Sequence, residues 1–228
     1  MANRFFSQAS FDFLAKLAVN NNREWFDRHK QEYEEAVRSP ALNFIADMGD
    51  ALQAISPHFL AEPRKVGGSL MRVYRDVRFG RDKRPFKTNI GIHFRHRLGK
   101  DVHAPGFYLH VEPGKSFVGV GIWHPDAPAL ARLRSAIAEN GSAWLKASRE
   151  PKFTKTFELA GDTLTNPPRG YAKDHPLLED LKRKDYIAIT PLADRRVATP
   201  GIKTDVVKSF QTSAPFMQFL CKALELQF

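Results

Sequence analysis

The sequence predicts an α+β fold: a single domain over residues 1–228, with a mainly antiparallel sheet packed against N-terminal and C-terminal helices. Three observations predict it. Apolar residues recur at helical spacing through the first quarter of the chain, the period switches to two near residue 67, and helical spacing returns at the C-terminal end. The strand-like runs are joined by short connections, one of them the tight-turn composition Pro113-Gly114-Lys115, which favours an antiparallel meander. The helices have no apolar partner other than the sheet, so one domain is the economical arrangement.

Ser10 is placed to cap a first helix in which Phe13 (or Leu14), Leu17 and Ala18 fall on one face. Asn20-Asn21-Asn22 interrupts it, and Asn21 with Glu24 resembles a capping box for a second helix. There Phe26, His29, Tyr33 and Val37 form one stripe, with His29 read as a packing histidine. Ser39-Pro40 predicts the start of a third helix with Leu42, Ile45, Met48, Leu52 and Ile55 buried, ended by Pro57. Gly67-Gly68 then opens a strand through Leu70 to Tyr74, followed by strands over 89–95, 107–112, 117–123 and, later, 186–190. Between the last two, Asp126 and Pro128 start a helix carrying Leu130, Leu133 and Ile137, and Trp144-Leu145 sits in a short one after it. Residues 151–176 read as a long loop punctuated by proline and glycine, with Asp174 placed to cap a turn at Pro176. Helical segments at Val206 to Phe210 and Pro215 to Leu226 close the chain.

Alternation sorts the two sheet faces. Ile90, Ile92, Phe94, Leu109, Val111, Val118, Val120 and Ile122 face the helices. The opposite face carries His93 and Arg95, then Tyr108, His110 and Glu112, then Gly119 and Gly121 between Phe117 and Trp123. Two glycines leave gaps there, so this face, with Tyr74 beside it, reads as the floor of a cleft.

Composition narrows the class. Hydrophobic content of 43% and charged content of 26% are ordinary for a globular protein. The N-terminal residues lack an apolar h-region and the apolar runs are too short to span a bilayer, so no signal peptide and no membrane association are expected, and a cytoplasmic location is. Cys221, the single cysteine, excludes an intrachain disulfide and any multi-cysteine metal site, and its apolar neighbours mark it as packing. The net charge of +10 is confined: residues 64–100 hold 12 basic and 2 acidic side chains, leaving 23 of each sign elsewhere. A localised positive field suits phosphate-bearing partners.

The centre of that field is Arg72-Val-Tyr-Arg-Asp-Val-Arg-Phe-Gly-Arg-Asp-Lys-Arg-Pro-Phe-Lys87. The pattern resembles the hallmark of domain-of-unknown-function family 2461. Supporting stretches are Asn22-Arg-Glu-Trp-Phe26 with His29, Gly106 to Pro113, Pro168-Arg-Gly-Tyr171, Asp174-His175-Pro176 and Arg183-Lys-Asp-Tyr186. Phe86 stands where the family often has tyrosine, so a hydroxyl there is not essential to this chain. The resemblance implies one domain over nearly the whole length and carries over no catalytic or binding residue.

The residues themselves nominate an anion site of Arg72, Arg75, Asp76, Arg78, Lys83 and Lys87, with Arg169 and His175 on the proline-rich loop as candidates to close over it. An aspartate among arginines stays ionised and orients their guanidinium forks. The competing explanation is an internal Arg–Asp brace. His110-x-Glu112, joined by His93, would suit a histidine–carboxylate metal centre, although simple polar alternation explains the same residues, and no metal and no cofactor are assigned. The chain lacks a G-x-S-x-G elbow and a Walker-type loop. Two readings stay open: a basic cleft for a small phosphorylated or carboxylated anion, enzymatic or not, and a non-enzymatic nucleic-acid-associated protein that uses residues 64–100, where Tyr74, Phe79, Phe86 and Phe94 are interleaved with the cations.

Overall fold

Three consecutive strands form the predicted meander, β1 (Ile90–Arg95), β2 (Gly106–Val111) and β3 (Phe117–Ile122). The computed structural model describes residues 5–78, 81–99 and 104–228; Phe79, counted above among the aromatics, lies outside them. Two further strands, β4 (Glu158–Ala160) and β5 (Tyr186–Pro191), complete a sheet of order β1-β2-β3-β5-β4, antiparallel throughout. The outer edge of β1 is covered by two short pairings, residues 58–60 against 95–97 and 69–71 against 91–93. Such cover blunts an edge that would otherwise invite another strand.

Among the described residues ten α-helices flank the sheet: α1 (Gln8–Val19), α2 (Arg23–Arg28), α3 (Lys30–Tyr33), α4 (Ser39–Ile55), α5 (Ala127–Glu139), α6 (Gly141–Arg149), α7 (Pro151–Thr154), α8 (Leu178–Leu181), α9 (Asp194–Val197) and α10 (Ile202–Ala223). α10 crosses the apolar sheet face over β3, and α4 packs on β1. Phe210 of α10 sits 4.6 Å from Phe107 and 5.9 Å from Phe94, ring centre to ring centre. The apolar residues assigned to that face by alternation are all buried, and helices and sheet share one core. Among the described residues no helix is long and apolar enough to cross a membrane.

Several boundaries differ from expectation, each for a local reason. Ser7, not Ser10, is the N-cap of α1; Ser10 is the buried third residue, whose hydroxyl accepts the Ser7 N–H at 3.2 Å. Asn22 caps α2 by accepting the Trp25 N–H at 2.9 Å, which releases Asn21 for another partner. α4 begins at Ser39 with Pro40 in its first turn, as expected, but the chain does not break before it: Arg38 and Ser39 are both helical, and a π-helical turn, Glu34–Arg38, joins α3 to α4. Pro40 has no N–H to give the preceding turn, and the widened turn lets the chain pass it without breaking.

The segment 67–74 is not a continuous strand. It pairs with β1 only around Leu70 and then leaves the sheet. The loop-rich stretch 151–176 contains α7 and β4. The turn at Pro176 leads into α8, where His175 Nδ1, rather than Asp174, accepts the Leu177 N–H at 3.1 Å. The two C-terminal segments are one 22-residue helix that carries Pro215 in its interior, held by buried Phe210, Phe216, Met217 and Leu220.

Candidate functional site

The basic motif folds as a short two-stranded ribbon. Arg75 N–H donates to Pro85 O at 2.8 Å and Lys87 N–H to Val73 O at 2.7 Å, with Tyr74 opposite Phe86. Phe86 is 1% exposed and stacks on Phe26 of α2 at 4.1 Å and 16°. Its backbone is gripped from the side by Asn21. The side-chain amide donates to Phe86 O at 3.0 Å and accepts the Phe86 N–H at 3.0 Å. A carboxamide carries donor and acceptor in one plane, so it completes the ribbon as a neighbouring strand would.

Between the two arms, the sequence Asp-x-Arg occurs twice and adopts the same geometry each time. Asp76 Oδ1 accepts the Arg78 backbone N–H at 3.2 Å and Nε at 3.0 Å, while Oδ2 accepts a terminal guanidinium N–H at 2.7 Å. Asp82 receives Arg84 in the same way at 3.0, 3.0 and 2.7 Å. Arg75 also reaches Asp82, and Lys83 Nζ donates to Val77 O at 2.9 Å, closing the loop on itself. Both carboxyls are held well below the usual range, first by the side-chain bonds from Arg78 and Arg84 and then by the backbone N–H groups. These pairs are open to water, so they order the loop more than they stabilise the fold.

A concavity of about 350 Å³ lies against the ribbon, lined by Arg75, Asp76, Arg84, Phe86, Lys87, Thr88 and Asn89. Lys87 is the unusual group in it. Burial pulls its pKa down, and the neighbouring positive charges of Arg72 and Arg75 add to the effect. Among the described residues no carboxylate forms an ion pair with Lys87 or with Arg72; the two aspartates of the motif are committed to Arg75, Arg78 and Arg84.

The polar sheet face adjoins this concavity through Thr88 and Asn89. Tyr108 Oη and Asn89 Nδ2 stand 3.1 and 3.4 Å from His110 Nδ1, and His110 Nε2 stands 3.0 Å from Glu112 Oε2. Two donors converging on Nδ1 make it the acceptor, so the ring proton is on Nε2 and is donated to Glu112. Thr88 Oγ1 lies 3.4 Å from the other Glu112 oxygen, and Phe117 stacks on the His110 ring at 4.7 Å. Burial, helped by the Glu112 charge, pushes the Tyr108 hydroxyl up to about 12, so it stays a donor.

The floor is less open than alternation implies. Tyr108 and Phe117 lie against Gly119, and the Tyr108 hydroxyl occupies the space above Gly91. Gly121 serves the backbone rather than a ligand: its φ is +117°, and a Cβ there would stand 2.1 Å from Tyr186 O on β5. His93 does not join His110 and Glu112. Its ring lies over Gly106, where a Cβ would be 2.0 Å from Nε2, and the described residues contain no group of three or more metal-ligating side chains. Tyr74 is not part of the floor either; it is half exposed beside Phe86 and Phe26, against the helices.

Arg72, Arg75, Asp76, Arg78, Lys83 and Lys87 are therefore brought together on one ribbon, with Tyr108, His110 and Glu112 next to it. Arg169 and His175 are not. Their loop follows β4, at the sheet edge opposite β1, and runs toward the end of β5 that pairs with the last residues of β3, whereas the ribbon flanks the start of β1. Arg169 is exposed there, and His175 is occupied in the turn before α8.

Arg84, Thr88, Asn89 and Asn21 escaped the residue-by-residue reading. Arg84 had a signal, the repeated Asp-x-Arg spacing. Asn21 had none, because its contact spans 65 residues.

No curated protein and no solved structure matches the chain. The family described as "Conserved hypothetical protein (DUF2461)" matches residues 9–219, a span that takes in the ribbon, the sheet and most of the helices, and the chain belongs to that family.

Proposed function

We propose that this chain binds a small phosphorylated or carboxylated anion in the concavity beside the ribbon, with Arg75, Arg84 and Lys87 as wall donors and Arg72 adding charge. One observation carries the reading: the motif's two carboxylates are used by Arg75, Arg78 and Arg84, and Lys87 is left half-buried between like charges. Burying a cation without a counter-charge is unfavourable, and an anion in the cleft would relieve it. Planar guanidinium forks beside an ammonium also match the donor needs of phosphate and carboxylate.

Thermal melting of wild type and Lys87→Met across phosphate, pyrophosphate, citrate and nucleotides tests it. At a hundred times Kd, a bound anion adds about 2.7 kcal/mol, a rise of several degrees. Lys87→Met should melt no lower than wild type without ligand, because it removes a disfavoured charge, and should lose the anion-dependent rise. If no anion shifts wild type, or the variant shifts equally, the proposal fails. Labelled oligonucleotides address the polymer reading. Contact with about four phosphates would weaken binding roughly a hundredfold between about 50 and 200 mM salt.

A further inference from the structure

We propose that Lys87 is a nucleophilic amine, and that the ligand class of the cleft is a carbonyl compound carrying a phosphate or carboxylate group. The inference rests on the anion reading and adds the chemistry of the bound molecule. Lys87 lines the concavity, is half-buried, and has no carboxylate partner among the described residues. Arg75 and Arg84 share the wall with it, and Arg72 stands close enough for its charge to be felt. Desolvation and adjacent cations both favour the neutral, nucleophilic form of a lysine amine, so Lys87 reacts from the fraction that has lost its proton while Arg75 and Arg84 hold the anionic end of the ligand. Its ordinary neighbours in the loop do not share this setting: Lys83 is exposed and spends its ammonium on Val77 O.

The backbone under Lys87 is fixed. Its N–H is bonded to Val73 O, and the preceding residue is held by Asn21 on both polar groups and by the Phe26 stack. Fixed attachment matters, because an amine must meet a carbonyl carbon held by its anionic end. In the step itself the Lys87 nitrogen lone pair attacks the carbonyl carbon, giving a carbinolamine. The carbinolamine oxygen takes up a proton and departs as water while nitrogen loses its proton, leaving an imine. The net change is amine plus carbonyl to imine plus water, with no oxidant or reductant.

Pyridoxal 5′-phosphate, an aldehyde bearing a phosphate, is the probe. The full-length protein is incubated with it near pH 7.5, trapped with borohydride, and mapped by peptide mass spectrometry. Lys87 should be labelled first and to near one equivalent. Pyrophosphate should block that labelling, and phosphate-free pyridoxal should label at least about tenfold more slowly, the effect of one charge-assisted hydrogen bond. Lys87→Arg removes the nucleophile, so it should lose the adduct while the remaining lysines label as they do in wild type. Labelling spread over surface lysines at equal rates, with the melting shift intact, overturns the amine chemistry and leaves the anion site standing. Absence of both the shift and the adduct overturns the two together.

Discussion

Replacing Asn21 by alanine probes how the motif is held, because the side chain acts on a residue 65 positions away. It removes both bonds to the Phe86 backbone, each 3.0 Å and partly shielded from water. At about 1 kcal/mol per net hydrogen bond the loss is about 2 kcal/mol, which for a chain of this size lowers Tm by roughly 4–8 °C. Asn21→Asp is more telling. Aspartate still accepts the Phe86 N–H, but its second oxygen then faces the Phe86 carbonyl. At neutral pH it should therefore be at least as destabilising as alanine. Protonation restores a donor, so the folded-state pKa of the new carboxyl is raised, and the deficit should shrink as pH falls through that value. Asn22→Ala, which removes the cap of α2, serves as a neighbour with a different role and a loss of about 1 kcal/mol. Urea titrations at constant m-value give the numbers. A loss under about 0.5 kcal/mol for Asn21→Ala, or an Asn21→Asp deficit that ignores pH, would refute the clamp.

Three further outcomes follow from the same geometry. Asp76 and Asp82 have lowered folded-state pKa values, so the stability they give is present above the ordinary carboxylate range near pH 4 and is lost as pH falls through those values; the Tm gap between wild type and Asp76→Asn/Asp82→Asn should narrow from pH 6 toward pH 2.5, and a constant gap would contradict the assignment. Cys221 is buried and burial pushes its thiol up to about 12, so alkylation at pH 8 should proceed only as fast as the protein unfolds; modification of the native protein in minutes would show the packing to be wrong. We propose that residues 1–228 behave as one domain, so limited proteolysis should cut first in 161–177 or at the termini, and two separately stable halves split between residues 60 and 130 would refute it.

The parts of the fold that were legible in advance are those set by local periodicity. Ile90, Ile92 and Phe94 alternate with Gly91, His93 and Arg95, and the sheet face follows. β4 was not legible: Glu158-Leu159-Ala160 is three residues long, has no alternation to detect, and exists only because β5 offers it an edge. Pro215 argued for a break, and the buried row Phe210, Phe216, Met217 and Leu220 outweighed it. The reach assigned to Arg169 and His175 failed because chain order says nothing about which sheet edge a loop returns to. The string Tyr108–His110–Glu112 was visible as a set on one face, but the bonds that Asn89, first residue of the predicted strand, and Thr88 before it add to that string join residues more than 20 positions apart, which alternation alone does not pair.

Brace and binding site are opposed explanations of a basic motif only while its charges are counted as one pool. In this structure they divide. Arg78 with Asp76, and Arg84 and Arg75 with Asp82, form a self-contained lattice that needs no ligand to be satisfied. Lys83 caps it on a backbone carbonyl. Arg72 and Lys87 lie at the base of the ribbon, outside that lattice; among the described residues neither forms an ion pair with a carboxylate, and Arg72 interacts with Asp76 through its charge alone. A brace alone would gain nothing from keeping Lys87 half-buried between guanidinium groups; methionine would fill the same space without the charge penalty. An anion site gains from both features, because the ordered aspartates hold the flanking arginines in place while the surplus sits where a ligand can enter. The aspartates therefore set the shape of the motif, and in the proposal above it is Lys87 at the base of the ribbon that would set the ligand charge.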